Sequence, residues 1–145
     1  MLLEAAGRLD AVELDRDLIE PLSRECAGLG ALEIVSADLL KPGAFDDAVK
    51  DCPYVCHVAA SVKLSAKDPQ REIVDVAVLG TRNVLESARE ARSVRRVVVT
   101  SSIAAIAPEE GASNERLTEG SWNETATLQE SPYALSKTLA ERAAW

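Results

Sequence analysis

The sequence offers little to a metal. Of its 145 residues one is histidine, His57, and three are cysteine, Cys26, Cys52 and Cys56. A structural zinc site takes four such ligands, and only Cys52, Cys56 and His57 lie near one another. Neighbouring residues in a strand point to opposite faces, which separates Cys56 from His57, so no metal centre is expected. Three cysteines without framework spacing give no disulfide pattern. They read as small apolar fillers in a reducing compartment. Basic charge is also short: 16 Lys and Arg stand against 24 Asp and Glu, a net charge of −8. That excludes the clustered cations of a nucleic-acid surface or of a face docked on anionic lipid. No apolar run reaches the roughly 18 residues of a membrane span. Met1-Leu2-Leu3-Glu4 sets an acid where a signal peptide carries basic residues, and a cytoplasmic protein is expected. Repeats, low-complexity tracts and a Pro/Gly-rich linker are all absent, so residues 1–145 read as one domain, long enough to bury a core.

What is present alternates. Three short apolar runs, Leu32–Ser36, Tyr54–Ala59 and Arg96–Ser101, suit strands buried on both faces, as in a parallel sheet. A weaker fourth strand is expected at Leu9–Leu14, after a helix end at Leu2–Ala6 stopped by Gly7. Helical spacing appears in Asp17–Ala27, briefly in Gly43–Val49, and at length in Pro69–Arg92, where Ile73, Val76, Leu79, Val84, Leu85 and Ala88 fall on or near one face. Ser131–Trp145 is rich in helix formers and opens with Ser131 as cap and Pro132 in the first turn. Gly111–Glu130 is polar and reads as a surface loop. Strand–helix alternation of this kind predicts an α/β fold, a doubly wound parallel sheet with right-handed crossovers.

Three stretches stand in order within that frame. Ala37-Asp38-Leu39 follows one strand and Val58-Ala59-Ala60 ends the next. Val97-Val98-Val99-Thr100-Ser101-Ser102 runs off a third. Tyr133-Ala134-Leu135-Ser136-Lys137 opens the last helix. Each motif alone is common; their joint order is specific. Together they resemble the extended short-chain dehydrogenase/reductase family, also called the NAD-dependent epimerase/dehydratase family. With Trp122 upstream, the last stretch is most similar to the dihydroflavonol reductase and cinnamoyl-CoA reductase branch. The resemblance covers nearly the whole chain. It implies a Rossmann-like NAD(P)-binding domain, an oxidoreductase acting on a small carbonyl or secondary alcohol, and a homodimer formed through the long helices.

The residues suit that chemistry. Tyr133 and Lys137 are four apart on a helix and share a face. An ammonium beside a phenol favours its ionised form, which equips such a pair to exchange a proton with a carbonyl or alcohol oxygen. Ser102, furthest beyond its strand among Thr100, Ser101 and Ser102, best reaches a cleft at the strands' carboxyl ends. There it would hydrogen-bond the same oxygen. By resemblance, Lys137 also binds the nicotinamide ribose, Asp38 and Leu39 contact the adenine, and Ala59 and Ala60 run beside the cofactor. On the residues alone, Asp38 reads equally as the cap of the next turn. Asp15 and Arg16 come directly after the Leu9–Leu14 strand. An acid there suits the ribose of NAD and an arginine the 2′-phosphate of NADP, and this chain shows both.

Two features shape the remaining alternatives. The Gly-x-x-Gly-x-x-Gly turn that cradles the pyrophosphate is absent from these 145 residues. The chain therefore reads as an internal fragment, or a truncated gene model, of a protein that the resemblance implies is roughly twice as long, incomplete in its first strand and its C-terminal part and inactive by itself. Where many sugar epimerases of the family carry Asn ahead of the Gly80-Thr81 pair, Ala77 stands here, which favours a reductase over an epimerase or dehydratase. A non-catalytic relative serving as a binding module is the third alternative, and the intact Ser-Tyr-Lys set argues against it.

Overall fold

A computed structural model describes residues 2–108 and 116–145. The chain runs α1 (Leu2–Ala6), β1 (Arg8–Val12), α2 (Ile19–Glu25), β2 (Ala31–Val35), α3 (Asp46–Val49), β3 (Tyr54–His57), α4 (Asp75–Ala91), β4 (Arg96–Val99) and α5 (Pro132–Ala144). One-turn 3₁₀ segments at Arg16–Leu18 and Ile103–Ala105 lead into α2 and out of β4. Every strand is parallel to its partner. β1 pairs β2 with Leu9 opposite Leu32, and β3 pairs β4 with His57 opposite Val99. Parallel neighbours need a crossover, which α2 provides for the first pair and α4 for the second.

All four expected strands form, including the weakest. The β1 strand starts a residue before Leu9 and ends two before Leu14. Its start is set by Gly7, which ends α1 at φ 73° with its N–H donating to Leu3 O at 2.8 Å, a left-handed helix stop that glycine adopts without strain. The long Pro69–Arg92 helix also forms, but its first turn, Gln70–Val74, is π-helical. Ser131 precedes α5 as expected, yet its hydroxyl does not cap the helix; it turns back to accept from Thr127 N at 3.2 Å. The first helical residue is Pro132, whose missing N–H costs nothing there. Of the loop expected at Gly111–Glu130, residues 111–115 lie outside the described residues, and 116–131 hold no helix or strand.

Among the described residues the strands of the second pair are covered on one face only. Along β3 and β4, Val55, His57, Val97 and Val99 are covered while Tyr54, Cys56, Arg96 and Val98 are exposed. The covered side carries the helices: Val55 packs on a core of Ala37, Phe45, Val49 and Val84 contributed by β2's exit, α3 and α4. Among the described residues the sheet stays as two separate pairs, β1-β2 and β3-β4, so β1 and β3 each keep one unpaired edge.

The cysteines depart from the filler reading as well. Cys56 is exposed and Cys26 half-buried. The Cys52 thiol donates, lying 3.4 Å from both Asp10 Oδ2 and Ala48 O. Burial first, and then the Asp10 carboxylate, push that thiol up from its ordinary range, which keeps it protonated as a donor. Among the described residues no helix is long and apolar enough to cross a membrane, and no cluster of three His, Cys, Asp or Glu residues could hold a metal.

Candidate active site

β3 and β4 end side by side, and the segments leaving both strands face α5. Ala59 and Ala60 leave β3, Thr100 and Ser101 leave β4, and Lys137 and Glu141 project from consecutive turns of α5 into the same cleft. Thr81 and Ala77 from α4 and His57 from β3 close its base. The cleft thus sits at the carboxyl ends of parallel strands, where open α/β sheets bind their ligands.

Lys137 is the charge at its centre. Its residue is 8% exposed, and its Nζ lies 5.8 Å from the centroid of the Tyr133 ring one turn earlier. Among the described residues no carboxylate forms an ion pair with it. A buried ammonium without a carboxylate costs stability unless something else compensates it. Here the aromatic face of Tyr133 offers it a cation–π contact.

His57 lies next to this charge. It is buried, with Nε2 3.2 Å from Thr81 Oγ1. Burial, and after it the Lys137 charge, push the imidazole below its ordinary range. An unfolded histidine titrates near 6.5. As pH falls below about 6.5 the unfolded chain takes up a proton that the folded chain refuses, so folding weakens until the lower folded value is passed. Thermal unfolding of the wild type should fall off below about pH 6.5 more steeply than that of His57→Gln. Equal profiles for the two would show that His57 is not the group responsible. The same burial also separates His57 from Cys56, which faces out from the adjacent position.

Around the cleft, the predicted residues divide into three sets. Ala59, Ala60 and Lys137 line it together. Tyr133, half-buried, joins through its contact with Lys137. Ser102 stands one residue beyond the cleft wall, where it caps the Ile103–Ala105 turn, its Oγ accepting from Ala104 N at 3.2 Å. That bond uses a lone pair and leaves the single hydroxyl proton for another acceptor. Asp38, Leu39, Asp15 and Arg16 are elsewhere. Asp38 Oδ1 accepts from Leu40 N at 2.9 Å, capping a turn. Leu39 packs on α4, where Gly80 leaves it room: a Cβ on Gly80 would sit 3.0 Å from Leu39 Cδ2. Asp15 caps the turn after β1 by accepting from Asp17 N at 3.0 Å, and Arg16 beside it is exposed.

Sequence reasoning gave no role in this cleft to Ser101, Glu141, Thr81 or His57, and none beside it to Asn123. Ser101 lines the cleft, and its hydroxyl donates to Glu141 Oε2. Glu141 lies four residues beyond Lys137, the same helical spacing that links Tyr133 to Lys137, so that signal was available. Thr81 and His57 meet only through tertiary packing. Asn123, 3% exposed, was hidden in a polar loop.

Residues 3–144 match the family described as 3-beta hydroxysteroid dehydrogenase/isomerase. A cinnamoyl-CoA reductase of Medicago truncatula is 41% identical over 121 residues, covering 79% of this chain and 36% of that protein. A (2S)-flavan-3-ol-forming anthocyanidin reductase of Vitis vinifera is 33% identical over 153 aligned positions, covering 100% of this chain and 45% of that protein. Among solved structures, yeast methylglyoxal/isovaleraldehyde reductase complexed with NADPH superposes with a TM-score of 0.82 at 30% identity, covering 99% of this chain and 46% of that one. The chain spans less than half the length of each of these relatives. They are reductases, and cinnamoyl-CoA reductase is one of the two types that the Tyr133–Lys137 stretch and Trp122 resemble.

Proposed function

The chain belongs to the 3-beta hydroxysteroid dehydrogenase/isomerase family, and on that premise we propose that it carries the catalytic residues of an NAD(P)-dependent reductase acting on a carbonyl/secondary alcohol pair. One observation supports this above the rest. A buried lysine with no carboxylate partner among the described residues sits one turn after a tyrosine, in a cleft at the carboxyl ends of two parallel strands.

The residues present fit the nicotinamide half of a dinucleotide. Lys137 offers an ammonium donor for ribose hydroxyls, and the methyl-sized Ala59 and Ala60 leave room for close approach along β3. When bound, the dinucleotide supplies the hydride. Everything else falls to the chain. Lys137 holds the ribose from beside the Tyr133 phenol. Tyr133 gives its hydroxyl proton to the substrate oxygen in reduction and takes it back in oxidation. Ser102 donates a hydrogen bond from its single hydroxyl proton to that oxygen and stabilises the charge that builds there. Ala77 gives the cleft a buried methyl and no hydrogen bond, which supports a reductase over a nucleotide-sugar epimerase.

Cofactor choice rests on Asp15 and Arg16. Asp15 repels a 2′-phosphate while Arg16 attracts one, so NAD is accepted at least comparably to NADP. The test is steady-state kinetics of the full-length protein on a panel of aldehydes and ketones, with NADH and NADPH side by side. Turnover with both cofactors is expected. Absence of turnover with either, on every carbonyl offered, overturns the proposed function. A strong NADPH preference that survives Arg16→Ala removes this pair from cofactor selection.

A further inference from the structure

The turn that carries Ser102 is gripped from outside the cleft, and from this geometry we propose that Asn123 is a positioning residue for Ser102. The inference rests on Ser102 having the role proposed above. Asn123 is buried, and its polar groups are divided between two tasks. Its Oδ1 accepts from Thr125 N and Ala126 N, both at 3.0 Å, and from Thr125 Oγ1 at 2.9 Å, which folds the loop after Trp122 on itself. Its Nδ2 donates to Ala104 O at 3.0 Å, and its backbone N donates to Ala105 O at 2.8 Å. The residues held in this way are the two that hold Ser102: Ala104 N donates to Ser102 Oγ at 3.2 Å and Ala105 N to Ser102 O at 3.0 Å.

Ala105 is fully buried, at 0% exposed, and its carbonyl is also 3.4 Å from Thr138 Oγ1 on α5. This one residue is therefore where the loop, the Ser102 turn and the helix bearing Tyr133 and Lys137 converge. Displacing it moves the Ser102 hydroxyl relative to the Tyr133–Lys137 pair and redirects its one available proton. The outer end of the loop is tied to the same helix, with Arg142 4.9 Å from the Trp122 ring centroid and hydrogen-bonded to Glu124. The loop is thus a brace between the Ser102 turn and α5.

An amide is required at this position because it donates and accepts at once. Aspartate keeps the acceptors for Thr125 and Ala126 but sets an oxygen against the Ala104 carbonyl. The experiment is a double-mutant cycle in the full-length protein, pairing Asn123→Asp with Ser102→Ala and reading kcat, cofactor Kd and kcat/KM for one carbonyl substrate. Asn123→Asp alone should lower kcat about 10- to 100-fold, the scale of a small misplacement of a reacting group, with cofactor Kd nearly unchanged. In the Ser102→Ala background it should cost almost nothing more. Asn123→Ala removes the donor and the acceptor together without adding a charge, and it carries the same cycle if the aspartate variant fails to fold. An equal loss in both backgrounds, or no loss in either, overturns the positioning role while leaving the reductase reading intact. If Ser102→Ala itself costs nothing, the role of Ser102 fails, and this inference fails with it.

Discussion

In the full-length protein, Tyr133→Phe is expected to lower reductase turnover about 10²- to 10⁴-fold, the usual worth of a positioned general acid, while cofactor affinity stays nearly intact. The substitution removes one oxygen. The ring that lies 5.8 Å from Lys137 Nζ remains, so the buried ammonium keeps its aromatic neighbour. Lys137→Met separates the two roles further. It removes both the group assigned to the ribose and the charge beside the phenol, so cofactor binding and turnover should fall together. The measurement is single-turnover kinetics with a parallel dinucleotide titration by fluorescence. Wild-type turnover in Tyr133→Phe would mean that the proton comes from elsewhere in the cleft. A Lys137→Met variant with unchanged cofactor affinity would detach Lys137 from the ribose.

The second large effect concerns the 145-residue polypeptide expressed by itself. It is expected to bind NADH or NADPH weakly or not at all, to show no turnover, and to self-associate. Two observations lead there. The sequence holds no Gly-x-x-Gly-x-x-Gly turn, the element whose amides would cradle the pyrophosphate at a helix N-terminus. In addition, β1 and β3 are not joined to each other. Each leaves a row of unpaired N–H and C=O groups among the described residues, and such edges recruit other chains. Nearby apolar groups add to the hazard, since Val12 is 37% and Val58 64% exposed. Size-exclusion chromatography alongside fluorescence titration provides the check. A monomer that binds dinucleotide at micromolar affinity would refute the expectation and show that residues 1–14 hold a phosphate site of another kind.

Local chemistry explains which parts were legible. Val97-Val98-Val99 could be little else than strand, because β-branched side chains fit a pleated surface. Gly7 marked the end of α1, and Pro132 the start of α5, through conformations their backbones favour. Tyr133 and Lys137 could be paired from sequence because a helix turn brings i and i+4 together. Asp38 was open between cofactor contact and turn cap, and the structure shows it capping Leu40.

Other features depended on contacts that no short window contains. The alternation of exposed and covered residues in β3 and β4 arises from which helices pack on which side, and a run such as Tyr54–His57 reads the same whether one face is covered or two. His57 had no role assigned from sequence, and its partner Thr81 lies 24 residues away. Asn123 sat in a polar stretch that promised only a loop, and its partners Ala104 and Ala105 lie 19 and 18 residues back along the chain. By itself, then, the sequence determined the strand–helix alternation, the end of α1, the start of α5 and the Tyr133–Lys137 pair, because dihedral preference and helical periodicity act within a few residues. The tertiary structure alone decided the burial of Lys137, the Thr81 partner of His57, the Ser101–Glu141 bond and the hold of Asn123 on the Ser102 turn. Each of those depends on groups distant in the chain arriving at one place, and only packing brings them there.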